Sequence, residues 1–458
     1  MQVLKFGGSS VASAPNIKRV CAIIEKALQR DKTIVVASAL GGCTNKLIEI
    51  GNMAANRDTA YSSLLDDLIQ QHEDVVEELG IPEQPELHLL TTELREVCQG
   101  VFLLQELSLR TLDRIMGFGE LLSTTILTHY LHHKGIPNCW IDARRIIRTN
   151  HQYGNAQVDM EVTQQLVENA LIASPSRLSV VPGFIASNDE GITTTLGRGG
   201  SDYSASLLSV CAKARILEIW TDVNGMMTAD PRVVPQARLI PHISYKEALE
   251  LSHFGARVVY PPTIQPVVSH NIPIMIKNTF APEAVGTLIE RNPPESNSRL
   301  RGLSSSNGIA LLSMEGSGMV GVPGYSARLF SALAAEKINI ILITQASSVH
   351  TMSVAIDDKS AEVAKKAVDD TFAYEISLQK VEPLRIESGF SIISLVGDDL
   401  QQQSGTGGRM FEALGRRGIN IRAIAQGSSE KNISTVIHSK DEAEALCAIH
   451  EAFFLTTE

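Results

Sequence analysis

The last third of the chain repeats itself. The stretch "GYSARLFSALAAEKINIILITQASSVHTMSVAI" (324–356) is echoed by "GGRMFEALGRRGINIRAIAQGSSEKNISTVI" (407–437), with Asn339 and Asn420, and Gln345 and Gln426, each 81 residues apart. Each copy predicts strand–helix–strand–strand–helix, the pattern of a small α+β sandwich of the split βαβ kind. In copy one (307–385) the segment "YEISLQKVE" is expected to add a fourth strand; copy two (386–458) has no equivalent before the chain ends. Its sheet must then borrow one, and "LRGLSSS" at 300–306 is the available segment. The Pro, Asn and Ser of "RNPPESNSRLRG" mark residues 291–299 as a linker ahead of it.

Residues 1–290 carry a different pattern. Short β-rich runs ("TIVVASA", "RLSVVPGFIA", "ARILEIWTDV", "IPIMIKNT") alternate with helical stretches, which predicts an α/β domain with helices on both faces of its sheet. Charged helical segments such as "SSLLDDLIQQHEDVVEEL" between about 56 and 132 predict a helical insertion. At 458 residues, the chain exceeds what one core supports, consistent with several domains. The balance of 40 Lys+Arg against 51 Asp+Glu gives a net charge of −11, which disfavours nucleic acid and anionic membrane as partners. Six scattered cysteines without a C-x-x-C pair read as buried thiols of a reducing compartment. With no apolar run long enough to span a bilayer and no basic leader, the expectation is a cytoplasmic protein.

Two glycine turns carry the chemistry. In "VLKFGGSSVA" a strand ends in Lys5, Gly7, Gly8 and Ser9, and the helix beginning near Pro15 would offer unpaired N–H groups to an anion. In "TTLGRGGSDYSASLL" a second strand-like lead ends in Gly197, Arg198, Gly199, Gly200, Ser201 and Asp202. There the arginine can clamp a carboxylate and the aspartate can receive an ammonium group. A phosphate at the first turn and a zwitterion at the second is the combination these residues favour.

Together with "SALGGCTNKL", "GFGELLST", "EIWTDVNGMMTADPR" and "FGARVVYPPT", these turns resemble the aspartate kinase members of the amino acid kinase family, and the repeat resembles the paired ACT regulatory domains that follow that catalytic domain. The resemblance implies transfer of the γ-phosphoryl group of ATP, with Mg²⁺, to the side-chain carboxylate of L-aspartate. It assigns Lys5, Arg198 and Asp202 to catalysis, and Lys5, Gly7, Gly8, Ser9, Thr221, Asp222, Asp230, Arg232 and Arg257 to the nucleotide. To the substrate it assigns Thr44, Glu120, Arg198, Gly199, Gly200 and Ser201. It implies no protein metal site. Arg257, Tyr260 and Met227 stand where the family usually has lysine, histidine and tyrosine, and arginine at 257 keeps the charge with a different donor geometry. The repeated amides Asn339, Gln345, Asn420 and Gln426 are expected to bind an amino-acid effector. "ITQASS" and "IAQGSS" resemble the threonine-sensitive branch, whose members are often fused to a homoserine dehydrogenase. Pairing of ACT sheets implies a homodimer or larger homo-oligomer. "EGSGMVG" spells a dinucleotide fingerprint, but the following strand ends in Thr344 and Gln345 without the acidic residue such a site needs, so this segment and "GDDLQQQSGTGG" are read as effector loops. A kinase of another acidic amino acid, or a catalytically inactive amino-acid sensor, are the alternatives.

Overall fold

The computed structural model describes all residues except 83, 254–258, 295–299, 320–321, 346–350, 398–399, 401–403, 428–430 and 456–458. Two compact units emerge. The first comprises Met1–Met226, Leu239–Tyr245 and Val258–Pro294; the second comprises Met227–Arg238, Lys246–Arg257 and Glu295–Glu458.

The first unit is built on ten strands: β1 (Gln2–Phe6), β2 (Thr33–Ala37), β3 (Cys139–Trp140), β4 (Leu178–Pro182), β5 (Ile185–Ser187), β6 (Thr193–Thr195), β7 (Leu217–Thr221), β8 (His242–Ser244), β9 (Ile274–Asn278) and β10 (Thr287–Glu290). Eight form one sheet in the order β3-β4-β2-β1-β7-β9-β10-β8, and β5 and β6 form a separate antiparallel pair. Strands β3 to β9 in that order run parallel, and β10 is antiparallel to β9. Because β1 is central, four of its five residues are fully buried; Lys5, the exception, keeps a small exposed fraction. The chain leaves β1 first toward β2, and later strands are added on the other side through β7. Such a reversal of direction leaves a crevice at the carboxyl ends of β1 and β7.

The insertion is helical: α1 (Ala14–Arg30) and α2 (Cys43–Ala55) are followed by α3 (Tyr61–Leu79), α4 (Pro85–Leu104) and α5 (Leu109–His133). Ser108 caps α5 by accepting from the Thr111 N–H at 3.2 Å. From Ile115 to Thr128 every residue of α5 is buried, so this helix runs through the interior and carries Glu120 with it. After α6 (Ala143–Ile146) and α7 (Met160–Ala173), α8 (Gly200–Cys211) starts directly from the second glycine turn. The run "RLSVVPGFIA" is two strands, β4 and β5, because Phe184 adopts a φ of 68° between them. Cys139 and Cys447 are half-buried, unlike the other four cysteines.

The second unit holds a six-stranded antiparallel sheet of β11 (Leu300–Glu315), β12 (Ile340–Gln345), β13 (Thr351–Asp357), β14 (Arg385–Gly397), β15 (Ala423–Gln426) and β16 (Asn432–His438), in the order β12-β13-β11-β14-β16-β15. Two long strands serve both repeats. Ile309–Glu315 of β11 pairs with β13, while Leu300–Ser306 pairs with Gly397–Ile392 of β14. "YEISLQKVE" is not a strand. Its alternating Tyr374, Ile376 and Leu378 imitate one, yet Ala373–Ser377 is helical and Ile376 joins Phe372 in a core. The place beside Leu311–Ser313 is taken by Arg385–Glu387. Alternation on β11 sends Ala310, Leu312 and Met314 to one core, with the helices Tyr325–Ala335 and Ala361–Thr371, and Ile309 and Leu311 to another.

Candidate active site

Lys5 leaves β1 one residue before the strand ends and its Nζ meets Asp202 Oδ1 at 2.6 Å. Both side chains are mostly covered, 11% and 16% exposed, so the pair is held in a partly desolvated pocket where charge interactions are stronger than at a surface. The glycine turn beside it is tight at Gly8 and open at Gly7. A side chain at Gly7 would lie 3.7 Å from Lys5 Nζ, and one at Gly8 would press to 3.1 Å against the Ala39 carbonyl. Gly7 N–H donates to the Trp220 carbonyl at 3.1 Å, tying the end of β1 to the end of β7. The helix α1 starts at Ala14, where the sequence placed it, but a 3₁₀ segment, Gly8–Val11, comes between it and the turn, so the nearest backbone donors belong to that segment, which includes Ser9.

Glu120 approaches from α5. Gly119 makes this possible: a Cβ there would stand 2.8 Å from that of Ala39, so the helix packs directly on the loop after β2. Ser123 Oγ donates to the Ser38 carbonyl at 2.8 Å in the same contact. Glu120 is 3% exposed and its Oε2 has no hydrogen-bond partner. Burial pushes its carboxyl up to about 8, against the opposing pull of the Ala39 N–H and the Lys5 charge. A buried carboxyl with one oxygen unpartnered, beside a lysine–aspartate pair, is suited to receive an ammonium group, whose charge would itself favour the ionised carboxylate.

The second turn lies against the same end of the sheet. Gly183, just past β4, has room for no side chain because Ser201 Cβ would be 2.7 Å away, and Gly200 is hemmed in by Phe184 at 2.5 Å. Gly197 and Gly199 have φ of 73° and 70°, which reverse the chain and leave Arg198 exposed between them. Its Cζ stands 5.4 Å from the Tyr260 ring. Tyr260, noticed in the sequence only as a departure, therefore steadies the arginine. Asp113 also escaped the sequence reading; it lies seven residues before Glu120 on α5 and accepts from Thr195 and Gly154.

Other expected residues are placed less tightly. Thr44 is half-buried in the first turn of α2, and Thr221 ends β7, donating to the exposed Asp222 at 3.1 Å. Asp230 and Arg232 belong to the second unit and form a forked ion pair with each other, 2.7 Å between Arg232 Nη2 and Asp230 Oδ2, with the arginine 87% exposed. Arg257 lies outside the described residues. In the second unit Gln345 ends edge strand β12 and Gln426 ends edge strand β15, both exposed, with Asn339 and Asn420 exposed at the turns before these strands. Gly316 and Gly318 of "EGSGMVG" are packed under Lys380 and Val381, with 2.4 Å from a Gly316 Cβ to the Lys380 carbonyl, so close chain packing accounts for these glycines; Gly321 and, in "GDDLQQQSGTGG", residues 398–399 and 401–403 lie outside the described residues.

Residues 1–278 match the model of the amino acid kinase family, and residues 312–372 and 393–453 match that of the ACT domain. The chain belongs to the amino acid kinase family. Within it, the chain is 32% identical to aspartokinase 1, chloroplastic, of Arabidopsis thaliana, covering 99% of this chain and 80% of that one, which places it among the aspartokinases. It is 37% identical to the bifunctional aspartokinase/homoserine dehydrogenase of Haemophilus influenzae over 99% of its own length and 56% of the relative's. It thus spans about half the length of that and similar bifunctional relatives. Among solved structures, E. coli aspartokinase III in complex with aspartate and ADP (R-state) shares the fold with a TM-score of 0.83 at 29% identity, covering 99% of this chain and all of that one; its T-state complex with lysine and aspartate gives 0.78. This amino acid kinase chain therefore has an α/β catalytic fold followed by paired ACT repeats. Among the described residues, no helix is long and apolar enough to cross a membrane.

Proposed function

We propose that the chain is an ATP-dependent aspartate kinase, forming 4-phospho-L-aspartate and ADP at the head of the lysine, threonine and methionine branches of biosynthesis. The observation that carries this reading is the Lys5–Asp202 ion pair at the carboxyl end of β1, beside the Gly7–Gly8 turn and with the buried carboxyl of Glu120, one oxygen of which has no partner, close enough to feel the Lys5 charge. Residues 1–290 are the catalytic domain under this reading, 307–385 and 386–458 the regulatory pair, 291–299 the linker and 300–306 the strand lent to the second repeat.

The bare turn and the lysine fit a phosphate chain. When bound, ATP with Mg²⁺ supplies the transferable phosphoryl group and part of the charge neutralisation. Lys5 faces the transferring group, held in place by Asp202; Gly7, Gly8 and Ser9 line the phosphates; Thr221, Asp222, Asp230, Arg232 and Arg257 serve the nucleotide side. Arg232 would first have to leave its fork with Asp230. On the substrate side Arg198 takes the α-carboxylate, Glu120 the α-ammonium group, and Thr44, Gly199, Gly200 and Ser201 complete the pocket. The side-chain carboxylate of aspartate is already ionised at neutral pH, so the reaction needs alignment and cations rather than a general base.

Asn339, Gln345, Asn420 and Gln426 present repeated amides at equivalent places on two edge strands, which supports an amino-acid effector, and "ITQASS" with "IAQGSS" favours threonine. Exposed Ile343 and Ile424 on those same edges support a homodimer through the ACT region. The chain is taken to act in the cytoplasm, without nucleic-acid or membrane partners. ADP release from ATP and Mg²⁺, with L-aspartate or L-glutamate and then with threonine or lysine added, tests the proposal. Aspartate-dependent turnover suppressed by threonine is expected; turnover only with glutamate, or none with either acid, refutes the catalytic reading, and suppression by lysine alone refutes the threonine assignment.

A further inference from the structure

Asp113 is completely buried, and its carboxylate is fully engaged by two segments that are not otherwise part of α5. Thr195 donates to it twice, from its N–H at 2.9 Å and from its hydroxyl at 2.8 Å, and the Gly154 N–H reaches both oxygens at 2.9 and 3.1 Å. Thr195 is the last residue of β6, three positions before Arg198. Gly154 precedes Asn155, whose Oδ1 lies only 2.6 Å from where a Cβ of Gly197 would be, and the Ala156 N–H donates to the Thr195 carbonyl at 2.9 Å. The segment 154–156 therefore runs beside Thr195–Gly197, and the two are fastened to α5 at one carboxylate. On its far side the same turn rests on Tyr260 and Thr263, 3.2 and 2.9 Å from a Cβ of Gly199. Burying a carboxylate is costly, and among the described residues the groups this one serves, Thr195 and Gly154, border the Arg198 turn.

We infer that Asp113 is a positioning residue for the amino-acid substrate: by clamping Thr195 and Gly154 to α5 it fixes the Gly197–Arg198–Gly199 turn relative to Glu120, two helical turns further along the same helix. The inference rests on the proposed kinase reading, because it takes Arg198 and Glu120 to hold opposite ends of one zwitterion. The separation of those two groups is then a property of Asp113, and its loss is felt in substrate binding before it is felt at the phosphates. Among the described residues, none of the clamp's hydrogen bonds reaches the glycine turn after β1.

The test is steady-state kinetics of Asp113→Ala, Asp113→Asn and Thr195→Val beside the unaltered protein. Asp113→Ala is expected to raise KM for aspartate at least tenfold while KM for ATP stays within twofold, because only the substrate-side geometry is released. Asparagine keeps one acceptor for the two N–H groups and can donate to the Thr195 hydroxyl, so Asp113→Asn is expected to return KM for aspartate to within threefold of the parent. Thr195→Val removes one of the four contacts and is expected to raise the same KM about threefold; it decides the matter if Asp113→Ala does not fold. An unchanged KM for aspartate in these variants, or an equal rise for aspartate and ATP, overturns the positioning role. Absence of aspartate-dependent turnover in the unaltered protein would instead overturn the kinase reading.

Discussion

Replacing Glu120 by glutamine should change how stability depends on pH, and the size of the change follows from burial. The carboxyl is 3% exposed, with one oxygen unpartnered, and is pushed from 4.5 to about 8. Between those two values the folded chain keeps a proton that the unfolded chain releases. The folded state therefore binds more protons, and stability falls as pH rises through this window, levelling off above about pH 8. One pH unit across the window is worth about 1.4 kcal/mol, so between pH 5 and 8 the parent should lose on the order of 4 kcal/mol that Glu120→Gln does not. Urea unfolding followed by tryptophan fluorescence is the assay, since Trp140 and Trp220 both lie in the eight-stranded sheet that packs with α5. Every other titrating group is common to both proteins and cancels in the difference. A difference between parent and variant that is constant with pH would refute the claim that burial, outweighing the Ala39 N–H and the Lys5 charge, sets the state of this carboxyl.

Arg198→Ala should raise KM for aspartate roughly 10- to 150-fold, the value of about 1.5–3 kcal/mol for a charged hydrogen-bonded contact, and Arg198→Lys should recover little because lysine offers neither the fork nor the stacking on Tyr260; initial-rate kinetics measure both. Gly119→Ala should destabilise by about 1–3 kcal/mol despite alanine's better helix propensity, since its Cβ would stand 2.8 Å from that of Ala39, and the urea midpoint reports it. Gln345→Ala should weaken threonine inhibition at least tenfold with the uninhibited rate unchanged, read from inhibition curves.

The parallel core was legible in the sequence because β1, β2 and β4 are buried on both faces and so read as nearly unbroken apolar runs. Lys5 stood out by interrupting one of them. What the sequence could not supply was partnership across distance: nothing local joins Lys5 to Asp202, or Asp113 to Gly154 and Thr195. Where local pattern misled, the cause is visible. Tyr374, Ile376 and Leu378 alternate like a strand, but Tyr374 is 73% exposed and the contact that matters is between Phe372 and Ile376, one helical turn apart. Gly316 and Gly318 of "EGSGMVG" contributed to a nucleotide pattern because close packing against Lys380 demands the same bare backbone that a phosphate would.

The identity of the reaction product tests the central claim most directly. An acyl phosphate formed on the aspartate side chain is trapped by hydroxylamine as the β-hydroxamate, so mixtures of ATP, Mg²⁺, hydroxylamine and L-aspartate or L-glutamate can be compared for the parent and for Lys5→Ala. The account predicts aspartate β-hydroxamate from the parent, no glutamate product, and a loss of at least a thousandfold in rate for Lys5→Ala. Hydroxamate from glutamate in place of aspartate, or an undiminished rate without Lys5, would contradict it.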